Sequence, residues 1–150
     1  MKLNNKVKVI KYPNSVLTLP NKKLTVEQFD DGYVEYLSMR LEQANRNERG
    51  LGVVAPQIGI NQSIFYISVH GITDTTIVNP RVIDTTHNYV DYEEGCLSIP
   101  GFFWDVSRPD AVKLEYQTLM GDLKETWFDG LIGRVIFHEM DHLYGRRSEN

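Results

Sequence analysis

Residues 138–142 read His138, Glu139, Met140, Asp141, His142. Four positions along an α-helix advance one full turn plus about 40°, so the two histidines share one face and can reach a single metal ion. Glu139, next to the first of them, is placed to contact a water at an open coordination position without being a ligand itself. The pattern suits metal-assisted hydrolysis. Because short patterns also arise by chance on charged helix faces, a third ligand has to be found. An extended version of the pattern would put a histidine at position 148, where this chain has Ser148, although Gly145 falls at that version's glycine position. A zinc-binding glutamate further on is equally poorly served, since only eight residues follow His142 and Glu149 stands at the extreme end. Upstream lies Cys96, the single cysteine. A thiolate binds zinc or ferrous iron strongly. Most free cysteines are buried small hydrophobes, but beside an incomplete histidine pair the ligand reading is the better one.

The elements that must position these residues are legible from periodicity. The metal pattern lies on an expected helix from Leu131 to about Tyr144, introduced by Asp129 and Gly130 and stopped by Gly145. A second helix is expected over Leu24 to Asn45, where Phe29, Tyr33, Leu37 and Leu41 recur every fourth residue and Thr25 with Gln28 forms a capping pair. The Gly-rich stretch from Arg49 to Gly59 reads as an ordered loop without regular structure. Ser63 to Val69, Thr75 to Ile83 and Ala111 to Leu119 read as strands. A turn at Met120, Gly121 and Asp122 then leads into a returning strand, Leu123 to Phe128. The reading is α+β: mainly antiparallel strands packed around a central HExxH helix, with an N-terminal helix, in one domain spanning residues 1–150.

The 150 residues are 41% hydrophobic and 24% charged, the profile of a globular chain that can bury a core without disulfides. A formal charge of -4 lacks the positive field that attracts nucleic acid. The apolar stretch around Gly52 to Ile60 is too short to span a bilayer. The N-terminus lacks the apolar block of a secretory signal, so export is not expected.

Three separated segments resemble, in order, the motifs of the peptide deformylases. They are Gly50, Leu51, Gly52, Val53, Val54, Ala55, Pro56, Gln57; then Glu94, Gly95, Cys96, Leu97, Ser98; then His138, Glu139, Met140, Asp141, His142, Leu143, Tyr144, Gly145. The first alone would pass for a tight turn; the cysteine and histidine segments decide. The resemblance extends over nearly the whole chain. It departs at Val54, where the family usually has alanine, and at Phe103, where many bacterial members have an arginine near the substrate. The chain also stops soon after the metal helix, as expected of a compact form with a short C-terminus.

The resemblance implies that Cys96, His138 and His142 hold one divalent metal ion, Fe2+ or Zn2+, with water in the fourth position. Glu139 takes the water's proton and later delivers it to the leaving amine, so that formate is released from an N-formyl-methionyl peptide. The Gln57 side chain and the Leu97 backbone N–H join the metal as donors to the developing oxyanion. Main-chain groups near Leu51, Gly52 and Gly95 are expected to hold the peptide extended. Leu131 and Val135 are candidates to line the methionine pocket, with core packing an equal explanation. Metal-bound imidazoles need their second ring nitrogen oriented. Glu94 is the expected acceptor, with Arg108 holding Glu94 or Asp141 in place. Expected partners are nascent formyl-methionyl peptides near the ribosome, with neither nucleic acid nor membrane, and the expected form is a monomer in the cytoplasm, the host's if virally encoded. Two rivals fit the metal pattern. An HExxH endopeptidase would need a different third ligand, and a structural metal domain would close the site with four protein ligands.

Overall fold

The computed structural model describes residues 7–11, 14, 17, 21–69 and 73–144. Gly145, Ser148 and Glu149, which entered the helix stop and the ligand search, lie outside the described residues. In chain order the elements are α1 (Val26–Asp30), α2 (Tyr33–Glu48), β1 (Gly52–Val54), β2 (Ile64–Val69), β3 (Thr73–Thr85), β4 (Tyr89–Cys96), β5 (Ile99–Pro109), β6 (Ala111–Gln117), β7 (Leu123–Asp129) and α3 (Gly130–Leu143). Five strands form an antiparallel sheet in the order β1-β2-β3-β6-β7, while β4 and β5 form a separate two-stranded hairpin. The architecture is α+β, as the residue periodicities imply.

Alternation along β2 explains why the sheet is covered on both faces. Ile64 and Tyr66 join α2 residues Val34, Leu37 and Leu41 in one apolar cluster. Phe65, Ile67 and Val69 point the other way, into a second cluster with Val135, Ile136 and Met140 of α3. Val112 and Leu114 of β6 alternate in the same sense and complete the α3 side. Helix α3 is therefore fixed from behind by its apolar stripe, leaving His138, Glu139 and His142 to the remaining face.

Two expectations need correction, and one element was not anticipated. The single helix expected over Leu24 to Asn45 is two helices. The Thr25–Gln28 capping box forms, but the chain turns at Gly32, whose φ of 85° suits glycine, and Asp31 Oδ1 accepts from Tyr33 N at 2.9 Å to start α2. The Arg49 to Gly59 loop contains regular structure: β1 pairs with β2 through Gly52↔Ile67, and Ala55–Ile58 makes one 3-10 turn whose second residue is Pro56, where a missing N–H costs no helix bond. Finally, no expectation covered the β4–β5 hairpin. Glu94 is the one buried residue along β4, so the strand carries no apolar alternation to reveal it.

Candidate metal centre

Helix α3 presents His138 and Glu139 to a cleft of about 610 Å3 bounded by β1, the β4–β5 hairpin and α3 itself, with His142 buried one turn further along the helix. Cys96 ends β4, just beyond a shift in the β4–β5 register. Its Sγ lies 3.2 Å from His142 Nε2, which lies 3.2 Å from His138 Nε2. The three donor atoms all fall within 4.8 Å of one another. A tetrahedral ion with bonds of about 2.0–2.3 Å spaces its donors by roughly 3.3–3.6 Å, close to these separations.

The tautomer of His138 follows from its neighbour. Glu94 Oε1 accepts from His138 Nδ1 at 3.0 Å, which keeps a ring proton there and turns Nε2 toward Cys96 and His142, where its lone pair would be free for a metal ion. Glu94 is itself gripped by Arg108, with Nε to Oε2 at 2.7 Å and Nη2 to Oε1 at 2.8 Å, while Arg108 Nη1 reaches Asp141 Oδ2 at 3.1 Å. Burial alone would raise the Glu94 carboxyl, but the hydrogen bonds from Arg108 and His138 outweigh it and bring it down to about 2. Glu94 is thus a dependable anion.

The convergence of lone pairs also shows in the two imidazoles. Burial disfavours charge on His138, yet the adjoining Cys96 and Glu94 raise it to about 10. His142, buried and facing a charged His138, is pushed down to about 3. Three donors aimed at one point with room for one cation produce this split, and a divalent ion resolves it more fully than a proton. Glu139 is pushed up to about 7 chiefly by burial; a cation at the three donors would carry it back down. Its Oε1 stands 4.0 Å from His138 Nε2, and its Oε2 and the His142 Nδ1 are buried without a hydrogen-bond partner. The donor set and these two unpartnered atoms fit a metal site with water or substrate beside it.

Gln57 sits fully buried in the 3-10 turn. Its Oε1 accepts from Val54 N at 3.0 Å, so its Nε2 faces Ser98 Oγ at 3.2 Å and Cys96 Sγ at 3.8 Å. Leu97 follows Cys96 on the same cleft wall, its carbonyl accepting from Lys11 Nζ at 3.0 Å. Leu51, Gly52 and Gly95 line the cleft from the two edge strands, and Leu131 and Val135 line it from α3. A Cβ on Gly52 would lie 3.3 Å from Glu139 Cδ and 3.2 Å from Tyr66 O, so glycine is what lets β1 approach the carboxyl. Phe103 lies across Gly95, where a Cβ would meet its ring at 2.7 Å.

Two residues at the centre escaped the sequence reading. Ser98, the partner of Gln57, carried no signal beyond its place after Cys96. Arg134 donates from Nη1 to Glu94 Oε2 at 2.6 Å, and its position four residues before His138 on the same helical face was a usable clue.

The sequence profile described as polypeptide deformylase matches residues 6–147. The peptide deformylase of Prochlorococcus marinus is 36% identical over 143 residues, spanning 93% of this chain and 70% of that protein. That of Borreliella burgdorferi is 32% identical over 140 residues, spanning 93% and 83%. Among solved structures, a class I type b peptide deformylase from Acinetobacter baumannii superimposes with a TM-score of 0.91 at 27% identity, covering 95% of each chain.

Proposed function

The chain belongs to the polypeptide deformylase family, and from that premise we propose that Cys96, His138 and His142 hold one Fe2+ or Zn2+ ion for the hydrolysis of N-formyl groups. The family's activity is removal of the formyl group from the N-terminal methionine of new polypeptides, and it is the activity of this chain. The observation that carries the site assignment is the meeting of one thiol and two imidazole nitrogens beside a buried carboxyl with an unpartnered oxygen.

When bound, the ion lowers the pKa of a water from about 15.7 toward 7 and polarises the formyl oxygen. Glu139 accepts the water's proton and returns it to the departing amine, which makes the free N-terminus and formate. Gln57 turns its Nε2 toward the reacting carbonyl because its Oε1 is tied to Val54 N, and the Leu97 N–H is the second donor to the charge that develops there. The formyl-methionyl peptide lies extended between the edges of β1 and β4, along Leu51, Gly52 and Gly95, with its methionine side chain against Leu131 and Val135. Glu94 holds His138 in its ligating tautomer, and Arg108 holds Glu94 and Asp141. The profile match supports treating residues 1–150 as one catalytic domain. The substrate supports action on nascent chains near the ribosome, since the formyl group occurs at the start of new chains.

The test loads the protein anaerobically with Fe2+ and, separately, with Zn2+. Release of a free amino terminus is then followed from formyl-methionyl, acetyl-methionyl and internally cleavable peptides, with formate measured for the first. Release from the formyl peptide alone is expected, and Glu139→Gln should keep the metal while losing roughly 100-fold or more in turnover. Near-normal turnover in metal-loaded Glu139→Gln would overturn the role of Glu139, and cleavage of internal bonds would favour an endopeptidase.

A further inference from the structure

The β4–β5 hairpin carries Cys96, whereas both histidines belong to α3, and among the described residues the hairpin shares no strand pairing with the five-stranded sheet. Polar side chains link it to α3, and one of them reaches both strands. Arg134 Nη1 donates to Glu94 Oε2 at 2.6 Å on β4 and to Val106 O at 3.1 Å on β5. Its Nη2 donates to Val90 O at 2.5 Å, near the far end of β4, and its guanidinium carbon stands 5.0 Å from the centre of the Tyr92 ring. The side chain is largely buried, at 11% exposure.

We propose that Arg134 is the positioning residue that seats the β4–β5 hairpin on α3 and thereby sets the Cys96 thiolate against His138 and His142. Only a planar fork with donors on two nitrogens can serve a carboxylate and two carbonyls on separate strands at once; a lysine ammonium can satisfy the carboxylate but cannot span the rest. Arg134 also completes the shell of Glu94. Oε1 takes Arg108 Nη2 and His138 Nδ1, and Oε2 takes Arg108 Nε and Arg134 Nη1. Arg108 comes from β5, and its grip on Glu94 lies inside the hairpin; the hairpin meets α3 through Arg108 with Asp141, through Glu94 with His138 and through Arg134, which contributes three hydrogen bonds spread over both strands. The thiolate is a ligand supplied by a weakly anchored element, and its residence beside the imidazoles depends on that fastening. The inference rests on reading Cys96, His138 and His142 as the metal site.

Hydrogen–deuterium exchange of the metal-free protein and the rate at which excess chelator strips Zn2+ from the loaded protein test it. Arg134→Met keeps the apolar stem and removes all three hydrogen bonds. Exchange across residues 89–109 is expected to rise roughly 10-fold while β2, β3 and β6 keep wild-type rates, with Zn2+ leaving roughly 10-fold faster. Arg134→Lys should fall between wild type and Arg134→Met in both measurements, and it carries the test if Arg134→Met does not fold. Ile77→Val, which loosens the core without touching the hairpin, should change neither. Wild-type hairpin exchange and Zn2+ release in folded Arg134→Met would overturn the proposal, as would exchange rising by the same factor in every strand. Formate release by the wild-type protein judges the metal-site reading separately, because hairpin exchange in the metal-free protein does not depend on it.

Discussion

The five-stranded sheet and the β4–β5 hairpin are built from the same kind of antiparallel pairing yet are held in place by opposite means. In the sheet, Phe65, Ile67, Ile77 and Leu114 are fully buried between strands and helix, and stability comes from apolar area removed from water. On the hairpin, Tyr89, Tyr92, Phe102 and Phe103 are exposed, and the buried side chains include Glu94 and Arg108. The sheet is fixed by packing that tolerates no void. The hairpin is fixed by a few directional, charge-assisted bonds, which set both where its side chains point and how firmly it sits on α3. The proposed metal centre would draw two ligands from the rigid part and one from the adjustable part.

Four substitutions would break or sharpen that contrast. The largest effect belongs to the core. Phe65→Ala should cost about 3–5 kcal/mol in chemical denaturation, with the folded fraction releasing Zn2+ to a chelator at the wild-type rate. Faster release per folded molecule would mean that the two regions are not separable. Gln57→Leu keeps bulk at the junction of the regions but removes the donor facing Cys96, and turnover on a formyl-methionyl peptide should fall on the order of 100-fold. A change confined to KM would assign Gln57 to binding instead. Next comes Glu94→Gln, expected to weaken Zn2+ affinity by about 10-fold or more in a chelator titration while the sheet remains folded by circular dichroism. Unaltered affinity would remove Glu94 from the orientation of His138. The smallest effect is expected at Phe103, 65% exposed on the hairpin. Phe103→Ser should shift stability by no more than about 0.5 kcal/mol. A loss of several times that amount would show the hairpin to be held by apolar cover, as the sheet is.

Much of the fold could be read from local pattern. The strands at β2 and β3 are legible from their β-branched and aromatic residues, β6 from the alternation of Val112, Leu114 and Tyr116, and β7 from the turn that precedes it, while the helix carrying His138 follows from its start and stop residues. The break between α1 and α2 was harder to see because Leu37 and Leu41 continue the fourfold spacing on which Phe29 and Tyr33 lie, and the turn at Gly32 does not disturb it. The hairpin was illegible for a different reason: its outward face is aromatic and its inward face is charged, so neither period applies.

By itself the sequence determined that His138 and His142 share one face with Glu139 beside them, because the pitch of a helix is a property of the backbone and needs no other part of the chain. It also supplied, in Cys96, a thiol with the chemistry to complete the set. That this thiol stands 3.2 Å from His142 was decided by the tertiary structure. So was the shared grip on Glu94, which joins Arg108 across 14 positions, Arg134 across 40 and His138 across 44. Contacts over such separations leave no period in the sequence. They exist because burying the Glu94 carboxylate in a low-dielectric interior requires compensating donors, and only the folded chain brings those donors within reach.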